Sequence, residues 1–330
     1  MAERGTTVAM GEKGAAGSRP AVDAPFGNAL VALARQRPDI VGLSADLAKY
    51  TDMLPFRDAF PHRFFNVGMA EQNLIAVSAG LAKSGFKAFC TTYGVFATRR
   101  AYDFVAIACA HSRADVKIFA GLPGLTTGYG GTHQAIEDLA LMRMIPGLVV
   151  IDPCDATEIE QVVEAVAAHP GPAYVRLLRG LVPRVLDSAR HRFEIGRGYV
   201  LRSEGGLGLI STGLMTERAL DAAAELAARG IATSVLHMPT IKPFDSRAVA
   251  DFAKGVTRIM TLENHVVSGG LGTLVAEALY DCATFRPMAR VGIPDRFVEC
   301  GSLPYLQDKC GMTVPRIVEL AANESKWRKL

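Results

Sequence analysis

The stretch RFFNVGMAEQNLIAVSAGLAKSGFKAFCTT, residues 63–92, predicts a strand, a helix and a second strand in direct succession. Its β-rich ends, 63–68 and 87–92, flank a segment, 70–85, with the composition and spacing of a helix. Two parallel strands need a crossover of this kind. The stretch therefore predicts a unit of a parallel sheet that is covered by helices.

The same alternation extends through most of the chain. A charge-rich segment, 181–205, interrupts it, and a shorter alternation follows from LGLIST to a closing helix near TVPRIVELAANES. These patterns predict an α/β fold with two doubly wound domains, residues 22–185 and 186–330, after a flexible segment at 1–21. Further strands of the first domain are predicted at 40–45, 116–121, 147–152 and 173–178.

The composition excludes several classes of protein. The net charge of +3 is too small to indicate binding to nucleic acid or to an anionic membrane. The apolar runs are shorter than the roughly 20 residues of a membrane span. None of the six cysteines forms a C-x-x-C pair, so we expect reduced thiols and a cytoplasmic location.

Glu71 is the only acid in residues 66–82, which are otherwise mostly small and apolar. In the first turn of a helix, it could simply interact with the helix dipole. Alternatively, a carboxyl group in an apolar site keeps its proton more readily and can serve a cofactor nitrogen. The pattern alone leaves both interpretations open.

Aromatic residues gather after the predicted strand 87–92, with Tyr93 and Phe96 closest to its end. Ordinary packing explains most clusters of this kind. A flat heteroaromatic cofactor, however, also needs an aromatic face on which to stack.

Residues 121–138, GLPGLTTGYGGTHQAIED, combine five glycines with a single histidine, His133. The stretch matches neither phosphate-binding glycine motif. A lone histidine is more often structural than catalytic, but beside a glycine-rich loop it could contact a substrate.

Arg176 and Arg179 lie at the end of the predicted strand 173–178. Ligands of α/β folds bind at this edge, where arginine favours an anionic substrate; a surface ion pair is the alternative. No metal-binding spacing of histidines and no G-x-S-x-G elbow is found.

Several long stretches, in this order, resemble the C-terminal half of a transketolase. The similarity covers about residues 22–320, in SADL (44–47), VGMAEQN, TTYGVF, THQAIEDLALMRMIPGLVVIDPCDATE, YVRLLRG, HMPTIKPFD, TLENHVVSGGLG and GIPDRFVECG. The resemblance implies a transferase that uses thiamine diphosphate to move a two-carbon ketol unit between sugar phosphates.

The resemblance also implies roles for particular residues. The family's glutamate, at Glu71, bonds a ring nitrogen of the cofactor's aminopyrimidine and promotes the tautomer that removes the thiazolium proton. Phe96 would stack on that ring, Tyr93 would line its pocket, and Asp46 would lie near the cofactor at a subunit interface. His133 would contact the donor's hydroxyl groups.

Arg179, and beside it Arg176, would bind the donor's phosphate or another anion. The sequence contains no GDG motif, with which family members hold the metal and the diphosphate. The resemblance therefore implies a partner subunit that carries this motif and a magnesium or similar ion, as in split transketolases with an α2β2 assembly. No metal site is expected on this chain.

The sequence departs from the sugar-phosphate transketolases before the THQ motif, where GYGG stands without the usual acids, and at VDAPFG (22–27), where an arginine is expected. Both differences indicate a non-standard donor, such as apulose 4-phosphate or a sulfo-sugar.

Three alternatives remain open. They are a deoxyxylulose phosphate synthase-like subunit, the β subunit of a ketoacid dehydrogenase, and a non-catalytic module that keeps only the fold.

Overall fold

The computed structural model describes residues 19–323 and residue 327. In this part of the chain the strands are β1 Ala21–Asp23, β2 Ile40–Ser44, β3 Phe64–Asn66, β4 Lys87–Tyr93, β5 Val116–Gly121, β6 Val149–Ile151, β7 Ala173–Leu177, β8 Leu181–Pro183, β9 Tyr199–Arg202, β10 Leu207–Ser211, β11 Thr233–His237, β12 Thr240–Lys242, β13 Arg258–Val266 and β14 Met288–Ile293.

The α-helices of the same residues are α1 Pro25–Gln36, α2 Leu54–Ala59, α3 Glu71–Lys83, α4 Tyr102–Phe104, α5 Asp138–Arg143, α6 Ala156–Ala168, α7 Met215–Ala228, α8 Ser246–Lys254, α9 Leu271–Asp281, α10 Leu303–Lys309 and α11 Val314–Ala321. Two 3-10 turns, Ala48–Tyr50 and Pro61–Arg63, complete the first half. The prediction of an α/β fold with two parallel sheets is confirmed.

The first sheet has seven strands in the order β12-β6-β7-β5-β4-β2-β3. All its neighbours are parallel except the β12–β6 pair at one edge. The central strands β4, β5 and β7 are almost wholly buried because helices cover both faces. Their continuous apolar sequences, rather than alternation, are typical of such a position.

The second sheet has the order β14-β13-β10-β11-β9, with β9 antiparallel at its edge. The short strand β12 comes from the second half of the chain but pairs with β6 of the first sheet. A three-residue strand is too short to show a recognisable pattern in the sequence, and its partner strand lies about 90 residues earlier in the chain. The two halves of the chain thus share one sheet.

The helical segment after strand β4 is irregular. Residues Phe96–Arg100 and Val105–His111 form π-helical turns on either side of α4. Such π-helical turns are rare in proteins overall, and those that occur are often found at functional sites. Apolar spacing in the sequence does not distinguish these turns from α-helix.

Residues 1–18 of the predicted flexible segment lie outside the described residues. Arg19, in contrast to the prediction, is held by ion pairs to Glu217 and Asp221 of α7, at 2.5 and 2.6 Å. Strand β1 then pairs with β8, with Ala21 opposite Pro183.

A buried cluster joins the two halves of the chain. Glu158 of α6 accepts hydrogen bonds from Nε2 of His191 at 3.0 Å and Nε2 of His237 at 2.9 Å. Cys154 adds a backbone N–H at 2.9 Å, and its side chain completes a compact Cys–Glu–His group. Burial alone would raise the pKa of Glu158, but the two histidines lower it to about 2.

Among the described residues, no helix combines the length and the apolar character that crossing a bilayer requires.

We expect Glu158→Gln to lower the free energy of unfolding at neutral pH by about 1–3 kcal/mol, because two buried imidazoles lose a charged acceptor. The lowered pKa of Glu158 means that its contribution is complete above about pH 4.5 and is lost as the pH falls toward 2. The difference in the free energy of unfolding between variant and wild type should therefore decrease as the pH falls. Urea titrations at several pH values measure this difference.

Glu160→Gln is the matched control, because Glu160 lies on the same helix and pairs with Arg184 at the partly exposed surface. If Glu158→Gln and this control had the same free energy of unfolding at neutral pH, the buried cluster would not stabilise the contact between the two halves.

Candidate functional site

The predicted site residues follow three neighbouring strands of the first sheet. The ends of β4, β5 and β7 are in register, since Tyr93 pairs with Gly121 and Gly121 with Leu177. The loops that carry Phe96, His133 and Arg179 therefore leave the sheet side by side at its carboxyl edge, where ligands of α/β folds bind.

Glu71 begins helix α3 and is 2% exposed. Its carboxylate oxygen Oε2 accepts a hydrogen bond from the Arg100 guanidinium at 2.7 Å. One of the two interpretations of the sequence was a carboxyl group in an apolar site, and the structure adds a guanidinium to that site. Arg100 could not be foreseen because it lies 29 residues away, on the first π-helical turn.

The same arginine covers the ring of Phe96. Its guanidinium carbon lies 4.4 Å from the ring centroid, within the range of a cation–π contact. A planar cationic group thus touches both Glu71 and Phe96, the two residues predicted to hold an aminopyrimidine. The Arg100 side chain remains 45% exposed and so has room to turn away.

His133 joins the predicted aromatic cluster. Its ring centroid lies 5.5 Å from that of Phe96, 6.1 Å from Tyr93 and 5.6 Å from Tyr129, all in edge-on geometry. Its Nδ1 lies 2.9 Å from the hydroxyl of Thr132. The structure therefore brings together three residues that are separated by up to 40 positions in the sequence.

A cavity of about 540 Å³ opens beside this cluster and is lined by Val95, Phe96, Arg99, Arg100, Thr132 and His133. This volume suits a small-molecule ligand. Two arginines, an imidazole and an aromatic face give it the chemistry to bind an anionic molecule with a flat ring.

Asp46 lies at the end of β2, exposed, with a left-handed backbone angle φ of 59°. It exchanges two hydrogen bonds with Asn66 at the end of β3, at 2.9 and 3.0 Å. A left-handed backbone is uncommon outside glycine, although aspartate tolerates it. The structure thus places Asp46 at the same edge of the sheet, bonded to Asn66 and facing solvent.

Arg179 is partly buried just beyond β7, and its Nε has no hydrogen-bond partner among the described residues. Burial raises the pKa of Tyr93, and the charge of Arg179 opposes that rise, so the two side chains are close. Because this nitrogen is itself shielded from solvent, the binding of an anion by Arg179 stays a prediction.

Arg176 is not a substrate-binding residue, and that prediction is wrong. It is 1% exposed and forms ion pairs with Asp138 and, at 3.3 Å, with Asp152. It also donates to the backbone oxygen of Asn264 at 3.1 Å. Its side chain leaves the strand on a face that is covered by the second half of the chain, whereas Arg179 lies past the strand's end.

Comparison with known proteins identifies the family. Residues 18–185 match the transketolase pyrimidine-binding domain, and residues 196–317 match the transketolase C-terminal domain. The chain belongs to the transketolase family and corresponds to its C-terminal half.

Individual relatives agree. The chain is 52% identical over 316 residues, 95% of its length and 91% of the relative's, to a putative uncharacterized transketolase family protein of Sinorhizobium fredii. It is 40% identical to a 6-deoxy-6-sulfo-D-fructose transketolase subunit of a Clostridium species, over 91% of this chain and 92% of that one. A solved split gene transketolase, described as an inactive beta4 tetramer, superposes with a TM-score of 0.84 at 40% identity, covering 92% and 97% of the two chains.

We expect Arg176→Met to destabilise the fold by about 3–5 kcal/mol, because it leaves two buried carboxylates without their cation. Burial alone would raise the pKa of Asp138, and Arg176 is what holds it below its ordinary value. Urea unfolding followed by circular dichroism measures the effect. Arg179→Met is the control and should change stability far less; similar losses for both variants would contradict the structural role of Arg176.

Proposed function

We propose that this chain is the pyrimidine-binding half of a two-subunit, thiamine-diphosphate-dependent transketolase that transfers a two-carbon ketol unit between sugar phosphates. The observation that carries the proposal is that Phe96 and His133 line one cavity, while Arg100, which lines it too, contacts both Glu71 and Phe96. Family membership alone supports the fold and the general class, but it does not require this arrangement.

The residues of the cleft fit the cofactor. When bound, thiamine diphosphate supplies the nucleophilic carbon and the electron sink of the reaction. The carboxyl of Glu71 would hold a proton at a ring nitrogen of the aminopyrimidine. Phe96 would offer that ring an aromatic face, and Tyr93 would line its pocket. Asp46 would contribute from the edge of the site, near the neighbouring subunit.

The substrate would occupy the outer part of the cleft. His133 would orient the hydroxyl groups of the ketose donor, and Arg179 would bind its terminal anion. The relative from Clostridium is named for a sulfo-sugar, and a sulfonate presents the same oxygen triad to a guanidinium as a phosphate. We therefore favour a modified donor, a sulfo-sugar or an unusual sugar phosphate such as apulose 4-phosphate.

The proposed complex needs a partner subunit that carries the GDG motif and holds the diphosphate through Mg²⁺ or a similar ion. An α2β2 assembly would place each site between unlike subunits. The split transketolase to which this chain is similar is described as inactive when it is assembled from β chains alone, which supports this requirement. All six cysteines are free thiols, which supports a cytoplasmic location.

In this proposal, residues 22–185 form the pyrimidine-binding domain and residues 186–330 the C-terminal domain. The alternatives differ in their donor substrates. A deoxyxylulose phosphate synthase-like enzyme and a ketoacid dehydrogenase β subunit would accept a 2-oxo acid such as pyruvate, whereas a non-catalytic module would accept neither donor. Screening ketose phosphates, sulfo-sugars and pyruvate with the assembled complex separates these possibilities.

We expect Glu71→Ala to abolish most ketol transfer in the complex, by roughly two to four orders of magnitude, because an acid–base group at the cofactor is lost. The fold should persist, since Arg100 is half exposed and can turn to water. A coupled assay measures turnover, and circular dichroism checks folding. Glu277→Ala, which frees Arg143 and changes no residue that lines the cavity, is the control; wild-type turnover in Glu71→Ala would refute the proposal.

We also expect Arg100→Met to tighten binding of thiamine diphosphate by the complex, by roughly threefold to tenfold. In the structure Arg100 contacts both Glu71 and Phe96, so that an aminopyrimidine must displace it, and a site that is occupied by its own side chain binds more weakly. Titration calorimetry measures the Kd. Arg57→Met, at a surface ion pair, should leave it unchanged; weaker binding by Arg100→Met would show that the arginine instead holds Glu71 in place.

A further inference from the structure

The glycine-rich loop, defined here as residues 121–133, is enclosed between the two halves of the chain. A Cβ atom at Gly124 would lie 2.2 Å from the backbone oxygen of Asn264, and one at Gly128 would lie 2.2 Å from that of Gly301. At Gly130 it would lie 2.8 Å from the sulfur of Cys300. These glycines are therefore required for close packing against the second half of the chain.

Hydrogen bonds fix the first part of the loop. The Asn264 side chain accepts from the backbone N–H of Leu125 at 2.8 Å and donates to the carbonyl of Pro123 at 3.2 Å. Gln307 of α10 donates to the carbonyl of Leu125 at 3.0 Å. Asn264 is 2% and Gln307 is 7% exposed, so these bonds are shielded from water.

Phe297 supports the other end of the loop, next to His133. A Cβ atom at Gly131 would lie 3.1 Å from its ring. The guanidinium carbon of Arg99 lies 5.5 Å from the centroid of the same ring, and Arg99 donates to the Gly131 carbonyl at 2.7 Å. Phe297 is nevertheless 72% exposed.

We propose that Asn264, Gln307 and the segment 297–301 are positioning residues, which hold the glycine-rich loop so that His133 faces the cleft. The C-terminal domain then forms the outer layer of the substrate site, in addition to any role in assembly. This inference rests on the proposed function only for its kinetic consequence. The mechanical part, that the second half orders the loop, concerns this chain alone.

Hydrogen exchange of the isolated chain tests the mechanical part. In Asn264→Asp the oxygen that accepts from Leu125 is kept and the donor to Pro123 is lost, so exchange of peptides covering residues 124–133 should accelerate roughly tenfold. Gln307→Ala should accelerate exchange of the same peptides to a similar extent, and Phe297→Ala should accelerate it less. Phe285→Ala, an equally exposed aromatic of the same half, should leave the loop unchanged.

Kinetics of the complex with its partner subunit test the consequence. Phe297→Ala should raise the KM for the ketose donor by roughly fivefold while kcat and the Kd of thiamine diphosphate stay within about twofold, because only the substrate-facing loop is loosened. Phe297→Tyr should restore the wild-type KM, and Phe285→Ala should not alter it.

The exchange experiment and the kinetic experiment test different statements, so each can give a negative result without the other. Unchanged exchange of residues 124–133 in both Asn264→Asp and Gln307→Ala would overturn the inference, whether or not the complex transfers ketol units. Faster exchange with an unchanged donor KM in Phe297→Ala would overturn the positioning of His133. A wild-type complex without ketol transfer would refute the proposed function alone, and the exchange data would still decide whether the loop is held in this way.

Discussion

The buried ion pair between Arg176 and Asp138 is the constraint on which the rest of the structure depends. Arg176 lies on a central strand, and Asp138 begins helix α5, five residues after His133. The same guanidinium reaches Asp152 and the backbone of Asn264, which belongs to the second half. One charged group therefore fixes the sheet, the loop that carries His133 and the second sheet relative to one another. An ionised side chain can be buried here only because carboxylates surround it.

The cleft follows from that arrangement. The strands β4, β5 and β7 end in register, and the second half of the chain packs against the glycine-rich loop. Phe96, Tyr93 and His133 are therefore confined to a small space. Arg100 then fills the gap between Glu71 and Phe96. Its positive charge compensates a carboxylate that the fold has removed from water, and its flat guanidinium covers an aromatic face that would otherwise be exposed. The Arg100 side chain thus occupies the position, beside Glu71 and over Phe96, that we assign to the aminopyrimidine ring of the cofactor.

Much of this architecture could be predicted. The continuous apolar strands and the helical spacing of residues 70–85 indicated a parallel sheet, and the order of the motifs indicated the family. Glu71, Phe96 and His133 were found as candidates because each is an unusual residue in its local sequence. Arg176 was misassigned because arginine at a strand end has the same one-dimensional pattern whether it points into a cleft or into a charged interior. Arg100 gave no signal because Glu71 lies 29 residues before it, although Phe96 is only four positions away. Phe297 gave none because its contacts, Gly131 and Arg99, belong to the first half of the chain.

The sequence by itself determined the local structure, the family and the identity of the groups that could do chemistry, because these depend on spacing and residue type within short windows. Only the tertiary structure decided which of them share a cleft, which arginine is committed to the interior, and why the loop is rich in glycine. The physical reason is that desolvation, ion pairing and close packing are properties of neighbours in space. In this chain such neighbours come from segments that are far apart in the sequence, as for Leu125 and Gln307, which are separated by 182 residues.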